Sequence, residues 1–277
     1  MSAILRFAPS PNGLLHLGHA FSALFTWRAA AALGGTALLR IEDIDPVRCK
    51  PEFDAGLRDD LRWLGLDWPE PVLRQSDRMD AYRAAGARLG DLLYPCDCTR
   101  AEIAARSAGS PTDPDGTPLY DGKCRRRGLA GGRRVQWRLN MEKAIAAAGS
   151  LTMTTLPVQG IDIDFDHPVQ RAAHPGRWGD AVLVRKDTPT SYHLSVVVDD
   201  AAQGVTHVTR GEDLEAATDL HVLLQALLAL PSPAYAHHRL IRDESLLKLS
   251  KSRGSTSLRD LRAAGWAAND IRTELGF

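Results

Sequence analysis

Two patterns of apolar residues alternate along this chain. Short continuous apolar runs predict buried strands, and longer stretches with apolar residues three or four positions apart predict helices. In the first third of the chain, runs at 4–7 and 36–41 alternate with helical patterns at 20–32, 51–64 and 78–93. This alternation is typical of α/β folds, and we predict a Rossmann-like parallel sheet.

The pattern changes between residues 95 and 178, which contain clustered cysteines, a basic run, and a loop rich in proline, glycine and aspartate. We predict that this segment is a smaller α+β domain inserted into the first one, with strand-like runs at 135–139 and 160–165. Apolar strands then return at 181–185, 192–198, 205–209 and 236–241, and helical patterns follow at 214–230, 257–264 and 267–275. The predicted units are the first half of the core, 1–94, the inserted domain, 95–178, the second half of the core, 179–254, and a short helical C-terminus, 255–277.

Composition narrows the functional classes. The chain has 277 residues, 44% of them hydrophobic, and its 34 basic side chains balance its 34 acidic ones. Because the formal net charge is zero, a nucleic-acid partner would have to be met by a local basic patch. The chain contains no apolar run of about 18 residues, and its first residues lack the basic and apolar regions of a signal peptide. We therefore expect a cytoplasmic monomer with no membrane span.

The loop after the first predicted strand carries the first candidate chemistry. Pro9 and Pro11 break the strand, and Gly18 and His19 open a long apolar helical pattern. A loop that leads from a strand into a helix N-terminus offers backbone N–H groups and the positive end of the helix dipole to an anion. The imidazoles of His16 and His19 add donors, and Gly18 leaves room for a flat base.

A second polar loop lies near the other end of the chain. Lys248 and Lys251 are accompanied by the small hydroxyl residues Ser250 and Ser252, with Gly254 behind. Two ammonium groups in this arrangement suit a chain of phosphates whose charge moves during a reaction. Such a loop is by itself ordinary solvated surface, but together with the first loop it predicts a nucleoside triphosphate site.

Acidic residues follow the second predicted strand. In open parallel sheets, ligands collect outside the carboxyl ends of the strands. Glu42 and Asp43 are therefore candidates for binding a cationic group such as an ammonium, and the alternative is a solvated turn.

The two loops resemble the two signature motifs of class I aminoacyl-tRNA synthetases. The run from Arg6 to Gly13, together with Arg40 to Asp43, is similar to the glutamate-activating branch of that family, over residues 1 to about 254. The resemblance implies an L-glutamate site formed by Arg6, Phe7, Ala8, Pro9, Ser10, Glu42, Tyr192 and Arg210. It implies ATP contacts from Ser10, His16, Gly18, His19 and Lys251, and catalysis by His16, His19, Lys248 and Lys251 with Mg²⁺. Leu249 stands where the family usually has methionine, which is an apolar exchange.

The implied reaction is attack of the glutamate carboxylate on the α-phosphorus of ATP, which gives glutamyl-adenylate and pyrophosphate. Full glutamyl-tRNA synthetases continue into helical domains that grip the anticodon, whereas only residues 255–277 follow Gly254 here. A core of this length resembles the glutamyl-Q tRNA(Asp) synthetase family. That resemblance implies activation of glutamate without tRNA, followed by transfer to the queuosine base of tRNA(Asp).

Three of the four cysteines, Cys96, Cys98 and Cys124, lie in the predicted inserted domain. In a cytosolic chain this grouping favours a metal over disulfides. The family pattern implies a structural zinc site with Tyr120 as the fourth ligand. From spacing alone, His167 and His174 compete for that position, and the remaining alternative is a group of buried thiols. Cys49 has no partner in the sequence, and we expect it to be inert.

Two further features stay open. The basic run of Lys123, Arg125, Arg126, Arg127, Arg133 and Arg134 either meets tRNA phosphates or is solvated surface. Asp199 and Asp200 are predicted at the end of a strand, where turns favour aspartate, and we assign them no catalytic role.

Three other functions compete with the main reading. The chain could be a truncated glutamyl-tRNA synthetase that charges the 3′ end of tRNA(Glu). A small-cofactor nucleotidyltransferase shares the His-x-Gly-His loop, but Glu42, Tyr192 and Arg210 argue against it. A non-catalytic RNA-binding paralogue would be expected to have lost the histidine or lysine motif, and both are intact.

Overall fold

The computed structural model describes residues 2–107, 109–127, 134–241 and 256–277. Its strands are Ile4–Phe7 (β1), Thr36–Ile41 (β2), Leu73–Arg74 (β3), Leu93–Cys96 (β4), Gln136–Leu139 (β5), Thr152–Thr155 (β6), Val158–Gln159 (β7), Asp162–Ile163 (β8), Val169–Ala172 (β9), Val182–Val184 (β10), His207–Gly211 (β11) and Ala234–His238 (β12). Its α-helices are Leu17–Ala32 (α1), Pro51–Trp63 (α2), Met79–Arg88 (α3), Arg100–Arg106 (α4), Lys123–Arg127 (α5), Met141–Ala148 (α6), Tyr192–Ala202 (α7), Ala217–Leu227 (α8), Leu258–Ala263 (α9) and Ala268–Leu275 (α10). Within these ranges, no helix is long and apolar enough to cross a membrane.

The central layer is built mostly from parallel strands. β1 pairs with β2, and β2 pairs with β3, all in parallel. A second group runs in the order β11, β12, β6 and β9, and only its last pair is antiparallel. The two groups meet where the Thr206 N–H donates to the Ile4 carbonyl at 2.9 Å, next to β1 and β11. This arrangement confirms the predicted α/β class and brings the carboxyl ends of β1, β2, β11 and β12 to one edge.

Helix α1 packs against this layer and forms much of the core. Its buried side chains, which include Phe21, Leu24 and Phe25, lie against β1, β2 and β11. Alanines around most of the remaining helix surface allow close approach of the backbone. α10 packs against α1 as well, whereas Arg28 of α1 is exposed and pairs with Asp162.

The segment predicted as an inserted domain shares its sheets with the rest of the chain. β5 pairs with β4 on one side and β10 on the other in an antiparallel sheet. β6 pairs with β12, and so β6 and β9 extend the parallel layer. Within 95–178, β6 and β9 pair with each other, as do β7 and β8, whereas β5 pairs with β4 and β10, and β6 also pairs with β12.

The prediction of a strand at 192–198 was wrong, because these residues begin helix α7. The Ser191 hydroxyl caps the helix by accepting a hydrogen bond from the Leu194 N–H at 3.4 Å. A short apolar run that is buried on several sides has no periodicity that separates a strand from a helix. The serine cap was the available local signal for a helix.

Candidate active site

Two histidines fix the start of helix α1. The His16 Nδ1 accepts a hydrogen bond from the Gly18 N–H at 3.1 Å, and the His19 Nδ1 accepts one from the His16 N–H at 3.2 Å. The pair thus forms a reciprocal capping box in which imidazoles replace the usual hydroxyl and carboxylate. Because each Nδ1 is an acceptor, each neutral ring carries its proton on Nε2.

The structure gives a specific reason for Gly18. A Cβ at this position would lie 3.0 Å from Cε1 and 3.1 Å from Nδ1 of His16, which is tighter than ordinary contact. The His16 ring therefore occupies the space that a side chain would need. The sequence-based expectation was room for a flat base, and the described contact is with the imidazole.

One cleft of about 860 Å³ opens at the carboxyl edge of the parallel strands. Every predicted glutamate- and ATP-site residue that the structure describes lines it. From the first loop and α1 come Arg6, Phe7, Ala8, Pro9, Ser10, His16, Gly18 and His19, and from the other strand ends and α7 come Glu42, Tyr192 and Arg210. Sequence reasoning missed Ser22 and His238, which also line the cleft. The His238 Nε2 lies 3.1 Å from the Ser22 hydroxyl.

The flanks of the lysine loop lie at this cleft. Lys248 and Lys251 lie outside the described residues. On one side Ile241 lines the cleft, and on the other Ser257 pairs with His16 in a backbone bridge. Ile241 and Ser257, on the two sides of the lysine loop in the sequence, therefore both lie close to the first loop.

Buried charges organise the floor of the cleft. The Asp200 Oδ1 accepts hydrogen bonds from the Arg6 Nε at 2.9 Å and from an Arg40 terminal nitrogen at 2.7 Å. Arg40 also reaches Glu42 at 3.2 Å. Burial alone would raise the pKa of Asp200. The charges and hydrogen bonds of Arg6 and Arg40 together outweigh this effect, so the pKa of Asp200 lies below its usual value. Burial raises the pKa of Glu42, and Arg40 and Arg6 partly offset that effect.

Asp199 and Asp200 do not close a strand, because both are buried within α7. Asp199 accepts hydrogen bonds from Arg78 at 2.7 Å, Tyr82 at 2.8 Å and Gln75 at 2.9 Å. One aspartate thus ties α7 to α3 and its preceding turn, and the other holds two arginines at the cleft. The predicted location of the pair at the end of a strand was wrong.

Arg210 differs from Arg6 and Arg40 in its partners. It is only 5% exposed, yet among the described residues no carboxylate lies within ion-pair distance of it. Its acceptors are all neutral: His221 Nδ1 at 3.0 Å, Thr218 Oγ1 at 2.6 Å and His237 Nε2 at 3.4 Å. Three of its five N–H groups are used, which leaves one on each terminal nitrogen. A buried cation in this state at the wall of a cleft suits a carboxylate ligand.

The two acidic residues after β2 have different surroundings. Asp43 accepts hydrogen bonds from the Ser76 backbone at 2.8 Å and its hydroxyl at 2.9 Å, and pairs with Arg74 at 3.0 Å. Its carboxylate is therefore engaged in holding β3 and the turn after it. Glu42 alone of the two lines the cleft, and its backbone N–H donates to the Pro9 carbonyl at 3.1 Å.

The three clustered cysteines form the only metal-like group of His, Cys, Asp and Glu in the described ranges. The sulfurs of Cys96, Cys98 and Cys124 lie within 4.8 Å of one another, and all three side chains are buried. Cys98 and Cys124 are 3.6 Å apart, and the Tyr120 hydroxyl lies 3.5 Å from Cys96 and 3.6 Å from Cys98. Tetrahedral zinc with Zn–S bonds of about 2.3 Å requires sulfurs about 3.8 Å apart, which this donor set nearly satisfies.

Guanidinium groups surround this cluster. Arg138 donates to Cys96 at 3.4 Å, Arg106 to Cys98 at 3.6 Å and Arg127 to Cys124 at 3.8 Å. Burial raises the pKa of Cys96, but hydrogen bonds with Tyr120 and Arg138 outweigh it and bring the pKa to about 7. Burial raises the pKa of Cys124. The arginines offset the negative charge that three thiolates would bring.

Neither competing histidine joins the cysteines. His167 instead contacts Asp164 at 2.9 Å, and His174 precedes the short 3₁₀ helix Pro175–Trp178. Cys49 is a free cysteine outside this group, and its Sγ lies 3.5 Å from the Ser10 hydroxyl.

Much of the basic run is engaged within the protein. Arg125 pairs with Asp180 and Glu142, and Arg127 pairs with Asp97. Arg133 lies outside the described residues, and Arg134 donates to a backbone carbonyl. These pairings leave less of the run available for tRNA phosphates than its sequence indicates.

The sheet is mostly parallel, histidines cap the helix after its first strand, and a cleft with buried ion pairs opens at its carboxyl edge. These features together define a class I synthetase core. Residues 3–273 match the family described as tRNA synthetases class I (E and Q), catalytic domain. The chain belongs to this family and is a ligase, like the relatives that follow.

Those relatives include proteins of similar length. A glutamyl-Q tRNA(Asp) synthetase of Rhodobacter capsulatus is 48% identical over 99% of this chain and 100% of its own length. One from Symbiobacterium thermophilum is 38% identical over 98% of this chain and 85% of its own length. Glutamate--tRNA ligase 2 of Acidiphilium cryptum is 41% identical, but the match covers only 57% of that protein.

Among solved structures, a glutamate-tRNA synthetase from Elizabethkingia anophelis superposes with a TM-score of 0.68 at 27% identity. The match covers 96% of this chain and 54% of that one, so the chain spans about half the length of that structure.

Proposed function

We propose that the protein activates L-glutamate with ATP, in the absence of tRNA, and transfers it to the queuosine base of tRNA(Asp). The observation that carries the first part is the buried Arg210, which has only neutral acceptors among the described residues. Asp200 and Glu42 match the charges of Arg6 and Arg40, so the charge of the buried Arg210 is left in excess before any ligand binds. An acidic amino acid offsets this excess, whereas a neutral amide does not.

The cleft suggests an orientation for the amino acid. Arg210 binds the side-chain carboxylate in a fork, and Tyr192 lines the same wall. Glu42 binds the ammonium group, and Arg6, Ala8 and Ser10 line the far side of the amino acid. Phe7 and Pro9 complete the first-loop wall.

Adenylate formation then requires positioning and charge stabilisation. The α-carboxylate of glutamate attacks the α-phosphorus of ATP, a new O–P bond forms, and the bond to pyrophosphate breaks. A carboxylate is already an adequate nucleophile, so no general base is needed. The Nε2–H groups of His16 and His19, Lys248, Lys251 and Mg²⁺ stabilise the charge that moves toward pyrophosphate. Ser10 and Gly18 border the nucleotide.

The names and lengths of the relatives support transfer to queuosine. Two relatives called glutamyl-Q tRNA(Asp) synthetase match over 100% and 85% of their own length, whereas the glutamate--tRNA ligase 2 relative continues well beyond the match. Charging of the 3′ end of tRNA(Glu) is the competing acceptor.

We also propose one structural Zn²⁺ on Cys96, Cys98, Cys124 and Tyr120. The spacing of the sulfurs and the phenol oxygen fits a tetrahedral ion, and a closed site of this kind joins β4 to α5. The ion supplies a cross-link between these elements and no chemistry in the cleft. The monomeric state and the cytoplasmic location stay predictions.

Two assays test the proposed function. Glutamate-dependent exchange of pyrophosphate into ATP should occur without tRNA, and a non-catalytic RNA-binding paralogue would show none. Radiolabelled glutamate should be transferred to tRNA(Asp) that contains queuosine, and neither to the same tRNA without queuosine nor to tRNA(Glu). Transfer to tRNA(Glu) instead would establish the competing acceptor.

A further inference from the structure

We propose that His221 and His193 are positioning residues that hold Arg210 without neutralising it, so that the pocket selects an amino acid with an anionic side chain. The inference rests on the proposed function, because it assumes that Arg210 receives the side chain of the substrate. It adds a specificity-determining pair that lies behind the ligand-contacting residues.

The hydrogen bonds fix one tautomer for each imidazole. Arg210 can only donate, so His221 Nδ1 must accept its hydrogen bond at 3.0 Å. The His221 proton is then on Nε2, which faces His193 Nδ1 at 3.1 Å and donates to it. The His193 proton is consequently on its own Nε2. The two rings form a directed chain that begins at the guanidinium.

The surroundings keep both rings neutral. His221 is 2% exposed, and the charged groups that act on it are Arg210 and Arg6, both cationic. Burial and Arg210 lower the pKa of His193 to about 4, and the same causes lower the pKa of His221 well below its usual value. A proton on His221 Nδ1 would point at the Arg210 N–H groups, so the geometry opposes protonation independently of burial.

Packing holds the histidine chain in place. The His193 ring meets Trp178 edge-on at 5.0 Å between ring centres, and the two histidines lie 5.3 Å apart. The His221 ring lies 5.6 Å from that of Tyr192, which lines the cleft. The orientation of Arg210 is therefore set by rings that have little freedom to turn.

The contrast with the other buried arginines gives the arrangement its functional meaning. Arg6 and Arg40 both contact the Asp200 carboxylate within 2.9 Å, and Arg40 also contacts Glu42 at 3.2 Å, so two carboxylates balance these two charges before a ligand arrives. Arg210 has imidazole and hydroxyl acceptors, which orient a guanidinium and leave its charge unbalanced. A carboxylate at the position of His221 would balance that charge internally and remove the preference for an acidic substrate.

An isosteric pair of variants tests this inference. His221→Asn keeps a neutral acceptor toward Arg210, and His221→Asp places a carboxylate on the same atoms, while both lose the bond to His193. In glutamate-dependent pyrophosphate exchange, His221→Asp should raise the KM for glutamate about 10- to 100-fold relative to His221→Asn, the range for one charge-assisted hydrogen bond. The KM for ATP should be equal in the two variants, and the preference for glutamate over glutamine should fall only in His221→Asp.

Equal KM values for glutamate in the two variants would overturn the inference, as would a parallel loss of kcat in both. Nitrogen NMR of the histidines provides a readout that does not depend on activity. His221 and His193 should both be neutral Nε2–H tautomers at pH 6, and an imidazolium at either position would contradict the hydrogen-bond chain. If the wild-type protein shows no exchange with glutamate, the proposed function fails, and the NMR result still decides the state of the histidines.

Discussion

The Asp200 Oδ1 accepts a hydrogen bond from the Arg6 Nε at 2.9 Å, although the two residues are 194 positions apart in the chain. The contact joins the first strand of the sheet to helix α7 and sets the direction of an arginine that lines the cleft. Arg40 shares the same oxygen and also contacts Glu42, so two carboxylates balance these two buried guanidinium groups.

Replacing Asp200 by asparagine should therefore destabilise the protein and weaken glutamate binding. The change keeps the shape but leaves two buried cations with less compensation, which should cost roughly 3 to 5 kcal/mol. Urea unfolding measures the loss, and the exchange assay should show a higher KM for glutamate. Asp80→Asn is the matched control, because Asp80 pairs with Arg83 at an exposed position, and its removal should leave both readouts unchanged.

Gly18→Ala should slow adenylate formation without unfolding the protein. The added methyl group would meet the His16 ring at 3.0 Å and displace its Nε2–H, whereas alanine itself favours a helix. Misplacing a group that stabilises charge should lower kcat for exchange by about 10- to 100-fold. Gly176→Ala provides the comparison, since its methyl would meet only Ile145 at 3.6 Å. A kcat for Gly18→Ala equal to that of the wild type would remove the His16 ring from the mechanism.

Asp60→Asn should stabilise the protein at high pH but not at low pH. Asp60 is 3% exposed and its Oδ2 has no hydrogen-bond partner, and burial raises its pKa to about 6 despite the nearby Arg259. A raised folded-state pKa means that Asp60 favours folding below the unfolded value of 3.8, and that this benefit is lost as the pH rises through 6.

The variant should accordingly gain about 1 to 2 kcal/mol at pH 8, with the gain shrinking between pH 6 and pH 4. Urea unfolding at several pH values measures this difference. Asp59→Asn is the control, because Asp59 is exposed and pairs with Arg262. A gain for Asp60→Asn that is constant with pH would mean that Asp60 does not titrate in this range.

The cysteine cluster should hold one zinc ion per chain. Cys124→Ser should abolish bound zinc by elemental analysis, and it should lower the melting temperature of the zinc-loaded protein, because the ion links β4 to α5. Tyr120→Phe should weaken zinc binding if the phenol is the fourth ligand. Cys49→Ser, which lies outside the cluster, should retain the full zinc content. Purified protein without zinc, and unaffected by added zinc, would instead establish a group of buried thiols.

Lys251→Ala should slow pyrophosphate exchange by about 100- to 1,000-fold, the usual loss for one charge-stabilising donor. Lys143→Ala is the control and should have no effect, because Lys143 is exposed, pairs with Asp91 and does not line the cleft. An unchanged rate in Lys251→Ala would place the phosphate-binding charge elsewhere.

Local chemistry made the first loop and several elements predictable. The strand β1, the proline-rich loop and the start of α1 follow from residues next to one another, and so does the His16–His19 spacing that closes the capping box. Strand and helix order in the first ninety or so residues followed from periodicity, and the first of the two class I motifs lay in the same stretch. The cysteine grouping was visible for the same reason, since Cys96 and Cys98 lie only two positions apart in the chain.

The sequence by itself determined which groups are available: two imidazoles at a helix start, three cysteines near a tyrosine, and several arginines near strand ends. Only the tertiary structure decided how the charges are matched. Asp200 falls in a helix and binds two arginines, whereas Arg210 meets neutral histidines, because pairing depends on which distant elements pack together. Periodicity carries no information about such contacts, since burial and ion pairing are properties of the assembled layers and not of neighbouring residues.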